Sequence, residues 1–110
     1  MPVREVSPGE LAQALKGPES ERPAILDVRN PDEVRFASLP GSLNVPMQEL
    51  PARLDEVRDF ADRPVVVLCH HGVRSYHAAA FLESVGIAAR SLRGGIEGWA
   101  IEVDPKMPRY

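Results

Sequence analysis

The sequence predicts an α/β protein whose central sheet is mostly parallel and carries helices on both faces. Two observations indicate this class. Apolar segments of strand length alternate with segments of helical spacing along the 110 residues. The most apolar segment, residues 63–68, is rich in valine, as expected of a central parallel strand that is covered on both sides. Parallel strands need crossover connections, and the helical segments supply them.

The first half of the chain carries two helix starts and two strands. A capping box at residues 7–10 predicts a helix that ends at Gly17. The same order of a capping residue and a proline at residues 30–31 predicts a second, short helix. Residues 23–28 have the composition of a buried strand, and residues 43–46 that of a short edge strand.

The second half continues the alternation. Residues 49–60 carry apolar side chains at helical spacing, which predicts one helix with its apolar face toward the core. The strand at 63–68 is followed by a predicted helix over 75–85 and a short strand over 89–92. A last short helix is expected around Trp99, whose ring we expect to fill the core.

The length of the chain sets the number of domains, and its net charge restricts the classes of partner. A chain of 110 residues is long enough for one core and too short for two, so residues 1–110 are expected to form a single domain, with a core over about 3–103 and a tail over 104–110. The formal charge of −3 gives no general attraction for nucleic acid or for an anionic membrane. No segment resembles a signal peptide or a membrane span, so we expect a cytoplasmic location.

Cys69 directly follows the central strand and is the chain's single cysteine. In parallel sheets, ligands bind beyond the carboxyl ends of the strands. The segment from Cys69 to Ser75 joins the strand to a helix, so its backbone N–H groups and the helix dipole should form an anion cradle. Arg74 adds a positive charge four residues after the loop's first histidine. This environment should stabilise a Cys69 thiolate.

Other interpretations of these residues need weighing. A lone cysteine after an apolar strand is most often a small buried hydrophobe, but the polar loop and Arg74 favour a reactive role. His70 and His71 are expected to tune the local charge and to shape access to the Cys69 thiol. A metal site is the least favoured interpretation, because adjacent histidines point in different directions and nothing completes a ligand set with His77.

Asp27 and Arg29 end another strand at the same edge of the predicted sheet. They are candidate supporting residues that brace the active loop. The alternative is that Asp27 caps nearby backbone amides while Arg29 pairs with Asp32 or Glu33, and the sequence slightly favours this alternative for Arg29.

The chain resembles a single-domain rhodanese, a thiosulfate sulfurtransferase. The family motif is a catalytic cysteine that begins a loop ending in arginine and serine, here residues 69–75. Residues 27–29, 39–46 and 94–99 also resemble family segments in the right order. The resemblance extends from about residue 3 to residue 103. It departs from the family at Ser38, where many members carry histidine, and we make no prediction about what this change does.

The resemblance implies a three-layer rhodanese-like fold and a sulfur carried on Cys69 as a persulfide. The donor would be thiosulfate or a similar compound, and the acceptor cyanide, a thiol or a thioredoxin-like protein. No metal or organic cofactor is then required, and the oligomeric state stays open. The implied substrate-binding residues are those of the loop, His70, His71, Gly72, Val73, Arg74 and Ser75.

Three alternatives remain. A persulfide relay would receive sulfur from a partner protein and would keep the same residues. A binding module of the same fold usually lacks the cysteine. Cysteine phosphatases and arsenate reductases use a similar thiolate and arginine but typically have a longer loop than the four residues between Cys69 and Arg74. No aspartate near the loop can be assigned as the general acid that a phosphatase needs.

Overall fold

The computed structural model describes residues 3–110. Its sheet has five strands within that range, and all the strand pairings are parallel. The strands are β1 (Glu5–Val6), β2 (Ala24–Asp27), β3 (Leu43–Asn44), β4 (Val65–Leu68) and β5 (Ala89–Leu92). They lie in the order β1-β5-β4-β2-β3, so that β4 is central. The predicted α/β class and the parallel sheet are confirmed.

Helices cover both faces of this sheet. They are α1 (Pro8–Leu15), α2 (Pro31–Phe36), α3 (Leu54–Phe60), α4 (Val73–Ser84) and α5 (Gly95–Glu102), with 3₁₀ segments at Glu19–Glu21 and Met47–Arg53. Side chains of β4 alternate between two buried clusters, as the period of a strand requires. Val65 and Val67 pack with α3 and α4, whereas Val66 and Leu68 pack with α1 and α5. The sheet is therefore the middle of three layers.

The two helix starts form as the sequence predicts. Glu10 N donates to Ser7 Oγ at 3.1 Å, and Ser7 N donates to Glu10 Oε1 at 2.8 Å, which closes the capping box of α1. At α2, Asn30 N donates to Glu33 Oε1 at 3.1 Å. Helix α1 ends at Leu15, two residues before the predicted Gly17. Trp99 is 8% exposed in the α1/α5 cluster and fills the core as expected.

One element was missed and one expectation was wrong. Strand β1 was not predicted, because two residues, one of them charged, give no periodic signal. The continuous helix predicted over 49–60 is instead a 3₁₀ segment followed by α3. Pro51 lies inside the 3₁₀ segment, and a proline without an N–H cannot continue α-helical hydrogen bonding. In residues 3–110, no helix has the length and apolar character needed to cross a membrane.

Candidate active site

Cys69 lies at the carboxyl end of β4, where a tight loop leads into α4. Gly72 precedes α4 with φ +105°, a left-handed conformation that glycine adopts without steric cost. This turn directs Gly72 N toward the sulfur, and it donates to Cys69 Sγ at 3.0 Å. The cradle predicted from the sequence is therefore present for at least one backbone amide. Cys69 itself is 1% exposed.

Two buried hydroxyl groups lie behind the sulfur. Ser75 Oγ is 3.4 Å from Cys69 Sγ, and Ser91 Oγ on β5 is 2.8 Å from Ser75 Oγ. Both serines are fully buried. Because a hydroxyl both donates and accepts, the pair can take a hydrogen bond from a Cys69 thiol or, with both hydroxyls turned, donate one to a thiolate. Sequence reasoning missed Ser91, whose one signal is a polar residue inside a buried strand.

The N-terminus of α5 holds the other side of the loop. Ile96 N donates to Cys69 O at 2.8 Å, and Glu97 N donates to His70 O at 3.1 Å. These bonds turn both carbonyl groups toward α5 and satisfy two of the free amides at the helix start. The approach is close, since a Cβ atom on Gly95 would lie 2.5 Å from Cys69 O. Gly95 is thus the residue that lets α5 support the loop.

The guanidinium of Arg74 is paired with a carboxylate. Its Nη1 and Nη2 atoms donate to Glu33 Oε1 and Oε2 of α2 at 2.8 and 2.9 Å. This ion pair, with burial opposing it, lowers the pKa of Glu33 to about 2, and Glu33 in turn raises the pKa of Arg74. Arg74 therefore braces the start of α4 against α2. Its role in binding a substrate stays a prediction.

The Arg74–Glu33 pair should be measurable as pH-dependent stability. The folded pKa of Glu33, about 2, lies below its ordinary value of 4.5. Its stabilising contribution is therefore complete above about pH 4.5 and is lost as the pH falls toward 2. We expect Glu33→Gln to lower the free energy of unfolding at pH 7 by about 1–2 kcal/mol, after screening at this half-buried pair.

Urea unfolding of both proteins between pH 7 and pH 2.5 tests this expectation. The gap between wild type and variant should narrow as the pH falls. Glu102→Gln, at an exposed position on α5, serves as the control and should follow the wild type throughout. A gap of constant size would show that the ionised carboxylate of Glu33 contributes nothing to stability.

Asp27 and Arg29 pair with each other. Arg29 Nη2 donates to Asp27 Oδ2 at 2.6 Å and Arg29 Nε donates to Asp27 Oδ1 at 2.9 Å, with both side chains fully buried. Asp27 Oδ1 also accepts from Arg29 N at 3.0 Å, so the expected capping by Asp27 is present. The expectation that Arg29 pairs with the carboxylate of Asp32 or Glu33 was wrong. Of these two residues, Arg29 contacts only Glu33, through its main-chain oxygen at 3.3 Å.

This buried pair braces the site indirectly. Arg29 Nη2 also donates to Ala37 O at 2.7 Å, so the guanidinium ties the end of β2 to the main chain of α2 at Glu33 and just after its C-terminus. Helix α2 carries Glu33, which holds Arg74. Beside the pair, Val28 N donates to Leu68 O at 3.0 Å, one residue before Cys69. The supporting role considered for Asp27 and Arg29 therefore has a structural basis.

His70, His71 and Tyr110 form a stack beside the loop. The ring of His70 lies 3.8 Å from that of His71 and 3.8 Å from that of Tyr110, the latter pair nearly parallel at 9°. Burial, and then repulsion from His71, lower the pKa of His70. Val73, at the loop's outer surface, is 67% exposed. Sequence reasoning placed residues 104–110 outside the catalytic core, and Tyr110 had no signal that could link it to the site.

No group of three or more histidine, cysteine, aspartate and glutamate side chains within residues 3–110 is arranged to hold a metal ion. His77 lies on α4 with its ring against Tyr76, and it does not join the two loop histidines in their stack. The site chemistry that residues 3–110 offer is that of a buried sulfur that accepts from one backbone amide and lies 3.4 Å from a hydroxyl, with a carboxylate-paired arginine on the first turn of the following helix.

A family model described as "Rhodanese-like domain" matches residues 7–102. The chain belongs to the rhodanese-like family. A sulfurtransferase from Allochromatium vinosum is 37% identical over 99 residues, which cover 89% of each chain. A rhodanese-related protein from Thermoplasma volcanium has the same fold with a TM-score of 0.80 and 32% identity, over 91% of this chain and 93% of that one.

A thiosulfate sulfurtransferase from Pseudomonas aeruginosa is also similar, with a TM-score of 0.77 and 30% identity. The match covers 90% of this chain and 19% of that longer one. The rhodanese-like resemblance and the rhodanese-like fold predicted from the sequence are thus confirmed. The relatives from Allochromatium vinosum and Pseudomonas aeruginosa are named sulfurtransferases.

Proposed function

We propose that this rhodanese-like protein transfers sulfane sulfur from thiosulfate or a similar donor to a thiophilic acceptor through a Cys69 persulfide. The observation that carries the proposal is the environment of Cys69 Sγ. It accepts a hydrogen bond from Gly72 N and lies beside the hydroxyl of Ser75, at the carboxyl end of the central strand. The Gly72 amide, and the Ser75 hydroxyl once it turns toward the sulfur, would stabilise negative charge on a thiolate and on the outer sulfur of a persulfide.

The two half-reactions balance without a cofactor. The Cys69 thiolate attacks the outer sulfur of thiosulfate, the S–S bond of the donor breaks, and sulfite leaves with the electron pair. Cyanide or a thiolate then attacks the outer sulfur of the persulfide, and the Cys69 thiolate leaves. No redox partner is consumed with cyanide as the acceptor, and the product is thiocyanate.

Arg74 supports the first half-reaction in this proposal. Its guanidinium lies on the first turn of α4, two residues past Gly72, and is held in one position by Glu33. A positioned guanidinium favours the approach of a donor anion to the loop. His70, His71 and Val73 surround the same approach and would set the shape of the donor that enters.

The main alternative is a relay in which a partner protein's persulfide supplies the sulfur, and the same residues would serve it. A cysteine phosphatase or arsenate reductase is the weaker alternative, since those enzymes typically have a longer loop than the four residues that separate Cys69 from Arg74. A non-catalytic binding module would not need a cysteine with hydrogen-bond donors. We further propose that residues 1–110 act as one domain in the cytoplasm, where a free thiol persists.

Cys69→Ser is expected to abolish sulfur transfer from thiosulfate to cyanide, because the nucleophile is lost while the size of the side chain is kept. Thiocyanate formation measures the reaction. Intact mass after thiosulfate alone should show one added sulfur on the wild type and none on the variant. With a single cysteine in the chain, that added mass locates the persulfide.

A parallel series with glutathione persulfide in place of thiosulfate separates the relay from the thiosulfate enzyme. Loading of Cys69 by the persulfide but not by thiosulfate would favour the relay. If fresh, reduced wild-type protein takes sulfur from neither donor while phosphate or arsenate compounds are turned over, the sulfurtransferase proposal is wrong.

A further inference from the structure

We infer that Tyr110 is a positioning residue of the active loop: its hydroxyl holds Glu33, and so Arg74, while its ring encloses His70. This inference rests on the proposed function, because it concerns how the same site receives a sulfur donor. Segment 104–110 would then be part of the active site, although it lies outside the residues matched by the family model, 7–102.

The hydroxyl of Tyr110 lies in a continuous chain of polar contacts. Arg29 Nη1 donates to it at 2.8 Å, and it donates to Glu33 Oε2 at 2.8 Å. The same carboxylate oxygen accepts from Arg74 Nη2 at 2.9 Å. One oxygen atom therefore joins Tyr110 to Arg74, and rotation of Glu33 would break both bonds. A charge-assisted chain of this kind restrains each of its members more than a single bond would.

The ring of Tyr110 contacts the loop directly, through His70. It lies on one face of His70 with the two planes 9° apart, and the ring of His71 lies on the opposite face. His70 Nε2 is buried without a hydrogen-bond partner among residues 3–110. Phe36 contacts Tyr110 edge-on at 5.5 Å between ring centroids. His70 thereby lies between two rings, and its Nε2 atom is shielded from water.

Segment 104–110 has anchors that do not depend on Tyr110. Arg109 forms two hydrogen bonds with Glu97 of α5, at 2.8 and 2.9 Å. Asp104 N donates to Trp99 O at 3.0 Å, and Met107 packs against the α1/α5 cluster. A substitution at Tyr110 therefore removes the local contacts of one side chain while the segment stays attached to the domain.

Burial and the groups around His70 determine the pKa of its side chain. Burial and His71 lower its pKa, whereas Glu97, Glu33 and the main chain of Tyr110 raise it. Replacing the ring of Tyr110 by a methyl group admits water to His70 and leaves that main chain in place. The titration midpoint of His70 should therefore move upward, toward the ordinary histidine value of 6.5.

Three variants separate the ring from the hydroxyl. Tyr110→Ala removes both, Tyr110→Phe removes the hydroxyl alone, and Tyr76→Phe is the matched control at the chain's other tyrosine. NMR titration of the histidine side chains needs no substrate. We expect an upward shift of the His70 midpoint in Tyr110→Ala and recovery of the wild-type midpoint in Tyr110→Phe. Thermal melting confirms that each variant is folded.

Kinetics with thiosulfate as the donor test the hydroxyl. We expect Tyr110→Phe to raise KM for thiosulfate about five-fold and to change kcat less than about two-fold, because the contacts of Cys69 Sγ do not involve Tyr110. The inference is overturned if the His70 midpoint of Tyr110→Ala equals that of the Tyr76→Phe control. It is also overturned if KM of Tyr110→Phe for thiosulfate equals that of the same control. A wild type that transfers no sulfur overturns the proposed function alone, and the titration then decides the inference.

Discussion

Replacing Gly95 with alanine is expected to destabilise the protein by about 3 kcal/mol or more and to reduce sulfur transfer sharply. The new Cβ would lie 2.5 Å from Cys69 O, against main-chain atoms that cannot rotate away. The N-terminus of α5 would have to withdraw, and the bonds from Ile96 N to Cys69 O and from Glu97 N to His70 O would break. Urea unfolding measures the stability, and persulfide formation measures the state of the loop.

Gly86→Ala is the control for backbone strain in this experiment. Gly86 has φ +86°, as Gly95 has φ +62°, but a Cβ on Gly86 would meet nothing within 4 Å. Strain of the left-handed conformation alone costs about 1 kcal/mol. If the two alanine variants lose equal stability, the close approach of α5 to the loop does not matter. A folded Gly95→Ala protein with normal persulfide loading would likewise contradict the expectation.

Arg29→Met should have the largest effect on stability away from the loop, a loss of about 3–5 kcal/mol. The guanidinium is fully buried, and its removal leaves the carboxylate of Asp27 buried without its counter-ion. The contacts to Ala37 O and to the hydroxyl of Tyr110 disappear as well. For a domain of this size, the melting temperature should fall by about 10 °C or more.

A double variant distinguishes the buried charge from the lost contacts. Asp27→Asn combined with Arg29→Met leaves a neutral amide in place of the unpaired carboxylate, and should recover part of the stability lost in Arg29→Met. Equal stability of the single and double variants would show that the contacts of Arg29 with α2 and Tyr110 dominate, and that the pair itself contributes little.

Much of the fold could be predicted because it depends on local patterns. The valine-rich strand, the capping box at the start of α1 and the alternation of strands with helices each have a signal within about ten residues of sequence. Strand β1 had no such signal, since its pairing is set by β5, far along the chain. The 3₁₀ segment at Met47–Arg53 did have a local signal, Pro51, but the helical spacing of the apolar residues over 49–60 predicted a continuous helix instead. Tertiary contacts determine a strand as short as β1.

The candidate site likewise has features that the local sequence predicts and features that depend on contacts with other elements. The positions of Cys69 and Arg74 follow from a loop between a central strand and a helix. The partners of these residues do not, because each comes from another element: Ser91 from β5, Glu33 from α2. The bond between Arg29 and Tyr110 spans 81 positions of the chain, and no spacing rule addresses a contact of that length.

The placement of Arg74 also governs how dissolved salt would act on the protein. Its cation is half-exposed and shared with Glu33, so salt screens its attraction for a thiosulfate anion. The groups that face Cys69 Sγ are instead an amide dipole and a buried hydroxyl, which mobile ions cannot reach or neutralise. Raising the ionic strength should thus weaken the capture of an anionic donor while the intrinsic reactivity of the sulfur stays nearly constant. A change in salt concentration therefore tests the capture of the donor separately from the reaction at the sulfur, whereas a single substitution in this loop would change both.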